Sequence, residues 1–204
     1  YEYILYRKIN TDKYRYNKMK LYVMRHCERN LDNCSFESPL IPKGHYNAKN
    51  LYGSMNRKKI DVIYSSPFLR TIQTADFYSK MKSLPINIDY SIAEFVAFQD
   101  RHNMYSINNY IIPEVWRSNF KINTTNMIKN DYILNETINE CILRVYKFLD
   151  HINRKYKDTD KNILIVTHMS IVNVILGLQS DNINYGNFNI ETPYPMGLIT
   201  EIKI

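Results

Sequence analysis

A chain of 204 residues with 45% hydrophobic and 23% charged residues is globular in composition. It is long enough to bury a core unaided, which excludes a disordered chain and a disulfide-stapled miniature. Its three cysteines, Cys27, Cys34 and Cys141, make neither an even set nor a CxxC pair, so a reducing, cytoplasmic setting is expected.

The net charge is +7, a balance that suits an anionic substrate. Part of it is local. Residues 1–19 form a basic arm with Arg7, Lys8, Lys13, Arg15 and Lys18 against Glu2 and Asp12. The plain reading is a solvated arm; the sharper one is a contact for an anionic partner or a membrane surface. No apolar run approaches membrane-spanning length, since the longest lies around Ile163–Val166. No signal peptide is visible. The first residue is Tyr1, so a segment upstream stays open.

Residues 20–204 read as one domain. Lys20–Met24 is a short β-rich run leading into Arg25. Pro42–Arg57 is expected to be a helix, with Tyr46, Leu51 and Met55 near helical spacing. Asp61–Tyr64 is a second strand. Pro67 suits the first turn of a helix reaching about Met81, because its missing N–H costs nothing there. Ile86–Asp89 is a third strand. Residues 95–134 show no clear period, which in a compact domain points to functional text or short helices. Glu136–Tyr156 is amphipathic, with Ile138, Cys141, Ile142, Val145, Phe148, Leu149 and Ile152 at steps of three and four. Asn162–Thr167 is apolar without alternation, as in a parallel strand covered on both faces. Ser170–Leu178 is a helix that Gly177 helps to end, and Gly197–Ile204 alternates as a last strand. Alternating strands and helices of this kind predict an α/β/α sandwich around a mostly parallel sheet.

In such a sheet, ligands bind beyond the carboxyl ends of the strands. The first strand ends at Arg25-His26, and the late strand ends at His168. Arg70 sits on the helix after the second strand, and Glu94 follows the third. Each residue type suits a phosphate. A neutral imidazole can attack phosphorus and carry the phosphoryl group. Arginine forks match phosphate oxygens in pairs and neutralise the charge that spreads over them in transfer. A carboxylic acid can protonate the leaving alcohol and then activate water. Neither a metal nor a cofactor is called for, as there is no HExxH, no Asp-rich cluster and no Walker loop. A cysteine nucleophile fits badly, because Asn33 and Leu40, rather than arginine, stand six places after Cys27 and Cys34.

The runs VMRHCER (23–29), LIPKGHYNA (40–48), DVIYSSPFLRTIQTA (61–75) and NILIVTHMS (162–170) resemble the histidine phosphatase superfamily, also called phosphoglycerate mutase-like. The resemblance spans residues 20–204 and implies that fold. It implies His26 as the phosphorylated nucleophile, with Arg25, Arg70 and His168 completing the phosphate pocket and Glu94 as acid/base. Arg29, the run 111–126 and the closing TPYPMGLITEI are similar to the suppressor-of-T-cell-receptor-signalling and ecdysteroid-phosphate phosphatases. The family's mutases carry Ser or Gln at the place of Arg29, so the resemblance favours hydrolysis. Two departures stand out: Cys27 replaces the usual glycine after the nucleophile, and Met169-Ser170 replaces a small pair. If position 27 needed a positive φ, cysteine would be strained there; otherwise it is tolerated.

The residues leave other readings open. Glu28, Asp100 and Glu114 are alternatives to Glu94, and Arg29 could be a surface ion pair. Ser66 and Thr74 read as helix-start and packing residues. His45, His102 and His151 read as surface residues. The expected activity is phosphomonoester hydrolysis through a phosphohistidine on His26. Tyr90, Phe95, Phe98, Tyr105, Tyr110 and Trp116 could line a pocket for an apolar leaving group, which makes phosphotyrosine or another aryl or small-molecule phosphate a candidate substrate. A phosphoglycerate mutase and a non-catalytic phosphate-binding scaffold are the rivals. Nucleic acid is not expected as a partner, while the resemblance allows a homodimer.

Overall fold

The computed structural model describes residues 19–32, 35–95, 112–123, 136–180 and 189–202. Six strands make one sheet: β1 (Lys20–Arg25), β2 (Val62–Ser65), β3 (Ile86–Ile88), β4 (Ile122–Asn123), β5 (Asn162–Thr167) and β6 (Ile199–Ile202). Their order is β4-β3-β2-β5-β1-β6. All neighbours run parallel except β6, which is antiparallel to β1 at the edge. The helices are α1 (Pro42–Arg57), α2 (Leu69–Lys82), α3 (Glu114–Asn119), α4 (Ile138–Tyr156) and α5 (Met169–Gln179), with a 3-10 turn at Tyr90–Ile92.

Strand pleating divides the core in two. Leu21, Val23, Ile163 and Ile165 share a cluster with Ile142, Val145, Phe148 and Ile152 of α4 and with Ile171, Val172, Val174 and Ile175 of α5. Tyr22, Met24, Leu164 and Val166 face the other way, towards Met55 of α1 and Ile72, Ala75 and Tyr78 of α2. Successive strand residues thus feed opposite layers, and both faces are covered, as the unbroken apolar text of β5 predicts. The layers are helix, sheet, helix. Each fully buried aliphatic or Phe side chain contributes about 1.5–3 kcal/mol, so α4 is held mainly by its apolar stripe.

Local chemistry sets the helix ends. Thr137 caps α4 through a capping box: its hydroxyl accepts from Glu140 N at 3.3 Å, and Glu140 Oε2 accepts from Thr137 N at 2.6 Å. The helix therefore starts at Ile138, two places after the expected Glu136. Phe68 is the N-cap of α2, so Pro67 stands just outside the helix rather than in its first turn. Gly177 lies buried inside α5, which runs on to a cap at Ser180; the helix does not end at that glycine. Within the region read as irregular, the described part holds α3 and β4. The basic arm lies outside the described residues apart from Met19.

Parallel pairing brings the site's strand ends together. In register, Arg25 pairs with Thr167 across β1 and β5, and Ser65 pairs with Val166 across β2 and β5. The next residues along, His26, His168 and Ser66, therefore emerge side by side at the carboxyl edge of the three central strands.

Candidate active site

His26 is buried, at 1% exposure. Its Nδ1 lies 2.7 Å from the carbonyl oxygen of Cys27. A carbonyl only accepts, so Nδ1 carries the hydrogen and Nε2 the lone pair. Arg70 donates from Nε to that Nε2 at 3.3 Å, and its Nη2 sits 3.4 Å from His168 Nδ1. The two imidazoles meet edge to face with centroids 5.4 Å apart. Burial, then the positive charge of Arg70, pushes the His26 imidazole well below the usual histidine range. Burial pushes His168 down to about 4 against the pull of Glu94. Both rings are neutral at physiological pH.

Glu94 follows the 3-10 turn. Its Oε2 lies 3.3 Å from His168 Nδ1, and its Oε1 accepts a short hydrogen bond from the Ser170 hydroxyl. Burial alone would raise the carboxyl; in the acid range, where His168 is itself protonated, its charge and hydrogen bond, the Ser170 hydroxyl and Arg70 outweigh burial and hold the carboxyl at about 2. The Ser66 hydroxyl lies 2.8 Å from His168 Nε2. If it donates there, His168 Nδ1–H is free to donate to the carboxylate.

Arg25 reaches the same pocket. Its Nη1 donates to Tyr194 O at 2.9 Å and lies 3.6 Å from Met169 Sδ. Its buried Nε has no hydrogen-bond partner among the described residues, a donor that an oxyanion could take. Arg29 donates from Nη1 to Asn30 O at 2.6 Å, and its charge is felt at both Arg25 and His168. Two helices begin at the pocket. His168 is the N-cap of α5 and Arg70 the second residue of α2, so both dipoles favour an anion there. Among the described residues, no cluster of three or more His, Cys, Asp or Glu side chains is placed to hold a metal ion.

The motif around Arg70 acts as a bracket. Gln73 Oε1 accepts from Leu40 N at 2.8 Å, and Thr74 Oγ1 accepts from Cys27 N at 3.0 Å. Thr74 thus ties α2 to the residue after His26. Gly44 of α1 packs so closely that a Cβ there would lie 2.1 Å from Glu28 O, which is why LIPKGHYNA carries glycine at that point.

The structure brings Arg25, His26, Arg70, Glu94 and His168 together. Glu28 instead accepts from Asn47 Nδ2 at 2.7 Å, and Glu114 is an exposed partner of Arg117. Asp100, Phe98, Tyr105 and Tyr110 lie outside the described residues. Tyr90 and Trp116, expected as pocket walls, are core residues at 2% and 8% exposure. The sequence reading also missed Ser66 and Ser170, whose hydroxyls touch His168 and Glu94. Cys27 has no positive φ. Its thiol packs with Leu40, Ala48 and Leu51, and burial pushes it up to about 12.

Comparison with known proteins agrees with this geometry. The model of the histidine phosphatase superfamily (branch 1) matches residues 21–192. A protein of Hydrogenobacter thermophilus named "Putative phosphoserine phosphatase 2" is 27% identical over 166 residues, covering 78% of this chain and 77% of that one. Among solved structures, Bacillus stearothermophilus YhfR aligns over 91% of both chains with a TM-score of 0.66 at 18% identity. The ecdysone phosphate phosphatase of Bombix mori, in complex with tungstate, aligns over 88% of this chain and 83% of that one, with a TM-score of 0.60 at 14% identity. The chain is a phosphatase-type enzyme and belongs to the histidine phosphatase superfamily.

Proposed function

We propose that the chain hydrolyses phosphomonoesters through a phosphohistidine on His26. The observation that carries this reading is the His26 Nδ1 contact with Cys27 O at 2.7 Å, which leaves Nε2 unprotonated, with its lone pair turned towards Arg70. In the first step, Nε2 attacks phosphorus and the P–O bond to the leaving alcohol breaks. Arg25, Arg70 and His168, with Arg29 adding charge, hold the phosphoryl oxygens as negative charge shifts onto them. In the second step, water attacks phosphorus, the P–N bond breaks, and phosphate leaves with His26 restored.

Glu94 serves as acid and then base. It is ionised in the empty pocket, but an entering phosphate is a second anion beside it, and like charges raise one of the two pKa values. A substrate monoanion brings the needed proton, which passes by way of Glu94 to the leaving oxygen. The carboxylate then takes a proton from the attacking water.

A small-molecule phosphate such as phosphoserine agrees with the cationic pocket and with the names of the similar proteins, while an aryl phosphate such as phosphotyrosine rests on the cationic pocket alone. The buried thiols of Cys27 and Cys141 suit a reducing, cytoplasmic setting. The test is a screen of aryl, sugar and amino-acid phosphates against wild type and His26→Ala, without a bisphosphoglycerate primer. Turnover that needs His26 and no primer is expected. Turnover retained in His26→Ala sinks the reading, and dependence on the primer turns it into a mutase.

A further inference from the structure

We propose that Arg144 and Glu136 are positioning residues for Glu94, a buried clamp that fixes the main chain presenting this carboxylate to the phosphate. The proposal rests on the acid/base role given to Glu94 above.

Both side chains are 2% exposed. Arg144 Nε donates to Glu136 Oε2 at 2.7 Å, and Nη2 donates to Oε1 at 2.5 Å. The rest of the fork goes to main chain: Nη1 donates to Ser91 O at 2.6 Å and Nη2 to Ala93 O at 3.0 Å. The carbonyl between them, Ile92 O, accepts from Thr167 Oγ1 at 2.6 Å. Three consecutive carbonyls are therefore pinned from α4 and β5, and the next residue is Glu94. Arg144 lies 53 and 51 positions from the residues it grips, so the clamp is a tertiary device rather than a turn.

Stability alone explains such a pair poorly. Desolvating two charges is costly, and apolar residues of similar volume often do as well or better. Aiming explains it: the arginine fork sets two carbonyls at fixed angles, and general acids act only within hydrogen-bond reach of the proton they move. A misplacement of about 1 Å can cost on the order of 100-fold in rate.

The test separates aiming from folding by leaving-group dependence. kcat/KM is measured for aryl phosphates of rising phenol pKa, from 4-nitrophenyl to phenyl phosphate, and for one alkyl phosphate. This constant covers only the steps up to phosphorylation of His26, where the acid acts. Three proteins are compared with wild type: Glu94→Gln, Arg144→Lys, and the double variant Arg144→Met/Glu136→Leu. The double variant leaves no lone buried charge and keeps the test alive if Arg144→Lys does not fold. Expected for Glu94→Gln is a loss of ~100-fold or more on the alkyl phosphate and under ~5-fold on the nitrophenyl ester, whose leaving group needs little proton help. The clamp variants should lose ~10–100-fold on the alkyl phosphate and under ~3-fold on the nitrophenyl ester. Folded clamp variants with equal losses on all substrates, or with none, overturn the clamp while Glu94→Gln stays selective. Equal losses in Glu94→Gln itself overturn the acid role, and the clamp with it.

Discussion

His26 Nδ1 and the carbonyl oxygen of Cys27 are 2.7 Å apart, and that contact between chain neighbours fixes the tautomer of the nucleophile. Because the acceptor is main chain, no side-chain substitution at Cys27 removes it. The phosphoryl group is therefore expected on Nε2. Base-quenched phosphoenzyme, typed by phosphorus NMR or by isomer-selective antibodies, should show the Nε2 isomer alone. Phosphate on Nδ1 would mean that the ring turns over in turnover, against the geometry.

Burial and Arg70 hold the His26 imidazole well below the ordinary value, and burial holds His168 at about 4. Unfolded, each titrates near ~6.5. Between the two values the unfolded chain binds more protons, so stability is complete above about pH 6.5 and is lost as pH falls towards the folded values. Glu94, held at about 2, adds in the same direction: its share is present above ~4.3 and lost below. Urea unfolding from pH 7 down to 4 should show falling stability, with each histidine supplying at most about 1.4 kcal/mol per pH unit. His168→Asn should flatten the curve by one such share. Catalysis behaves differently. The nucleophile stays neutral through the ordinary histidine range, so kcat/KM should show no acid limb near ~6.5; it should fall instead as pH rises past ~6 and the substrate monoanion is lost. An acid limb centred at 6.5 contradicts the buried, neutral His26.

Arg25, His26 and His168 were legible in sequence because each ends or follows a strand whose apolar text marks it as central, and β1 and β5 do pair side by side. Arg70 was legible from its motif. Ser66 was not, because its role depends on the Ser65 to Val166 register, which brings it to a histidine 102 positions away. Ser170 was hidden because the carboxylate it meets, on Glu94, lies 76 positions away. Tyr90 and Trp116 misled because composition gives the amount of aromatic surface and not the side of the chain it takes. The doubt over Cys27 was one of backbone angle, which no single sequence settles.

Cys27 is expected to be inert. Its thiol is buried and pushed up to about 12, so the thiolate that reacts with alkylating reagents is scarce at neutral pH. Peptide mapping after iodoacetamide treatment should find Cys27 unmodified in native protein and modified in denaturant. Cys27→Ala should retain kcat/KM within about threefold and cost about 1 kcal/mol or slightly more, the scale of a small cavity. Rapid native labelling, or a collapse of activity in the alanine variant, would give the thiol a role the packing does not suggest.

Arg70 carries the sharpest test of the pocket. At 1% exposure it donates to His26 Nε2 and to Ser35 O, the latter at 3.0 Å, and its Nη2 lies 3.4 Å from His168 Nδ1, with its guanidinium 4.4 Å from the Phe68 ring centroid. A lysine keeps the charge but places one ammonium where a planar fork donates in separate directions, to His26 Nε2 and to Ser35 O. Arg70→Lys is expected to lower kcat by ~100–1000-fold, the cost of removing an aimed donor from a developing oxyanion. It should also lower affinity for tungstate or vanadate. Binding to the native state alone stabilises by about 2.7 kcal/mol at a hundredfold excess over Kd, so oxyanion should raise the Tm of wild type far more than that of Arg70→Lys. If the lysine variant kept both turnover and the oxyanion-induced Tm rise, charge alone would suffice and the fork geometry would be incidental. Because the fork already bridges both imidazoles, the phosphoryl group is expected to arrive at a cation preset between its nucleophile and its second histidine.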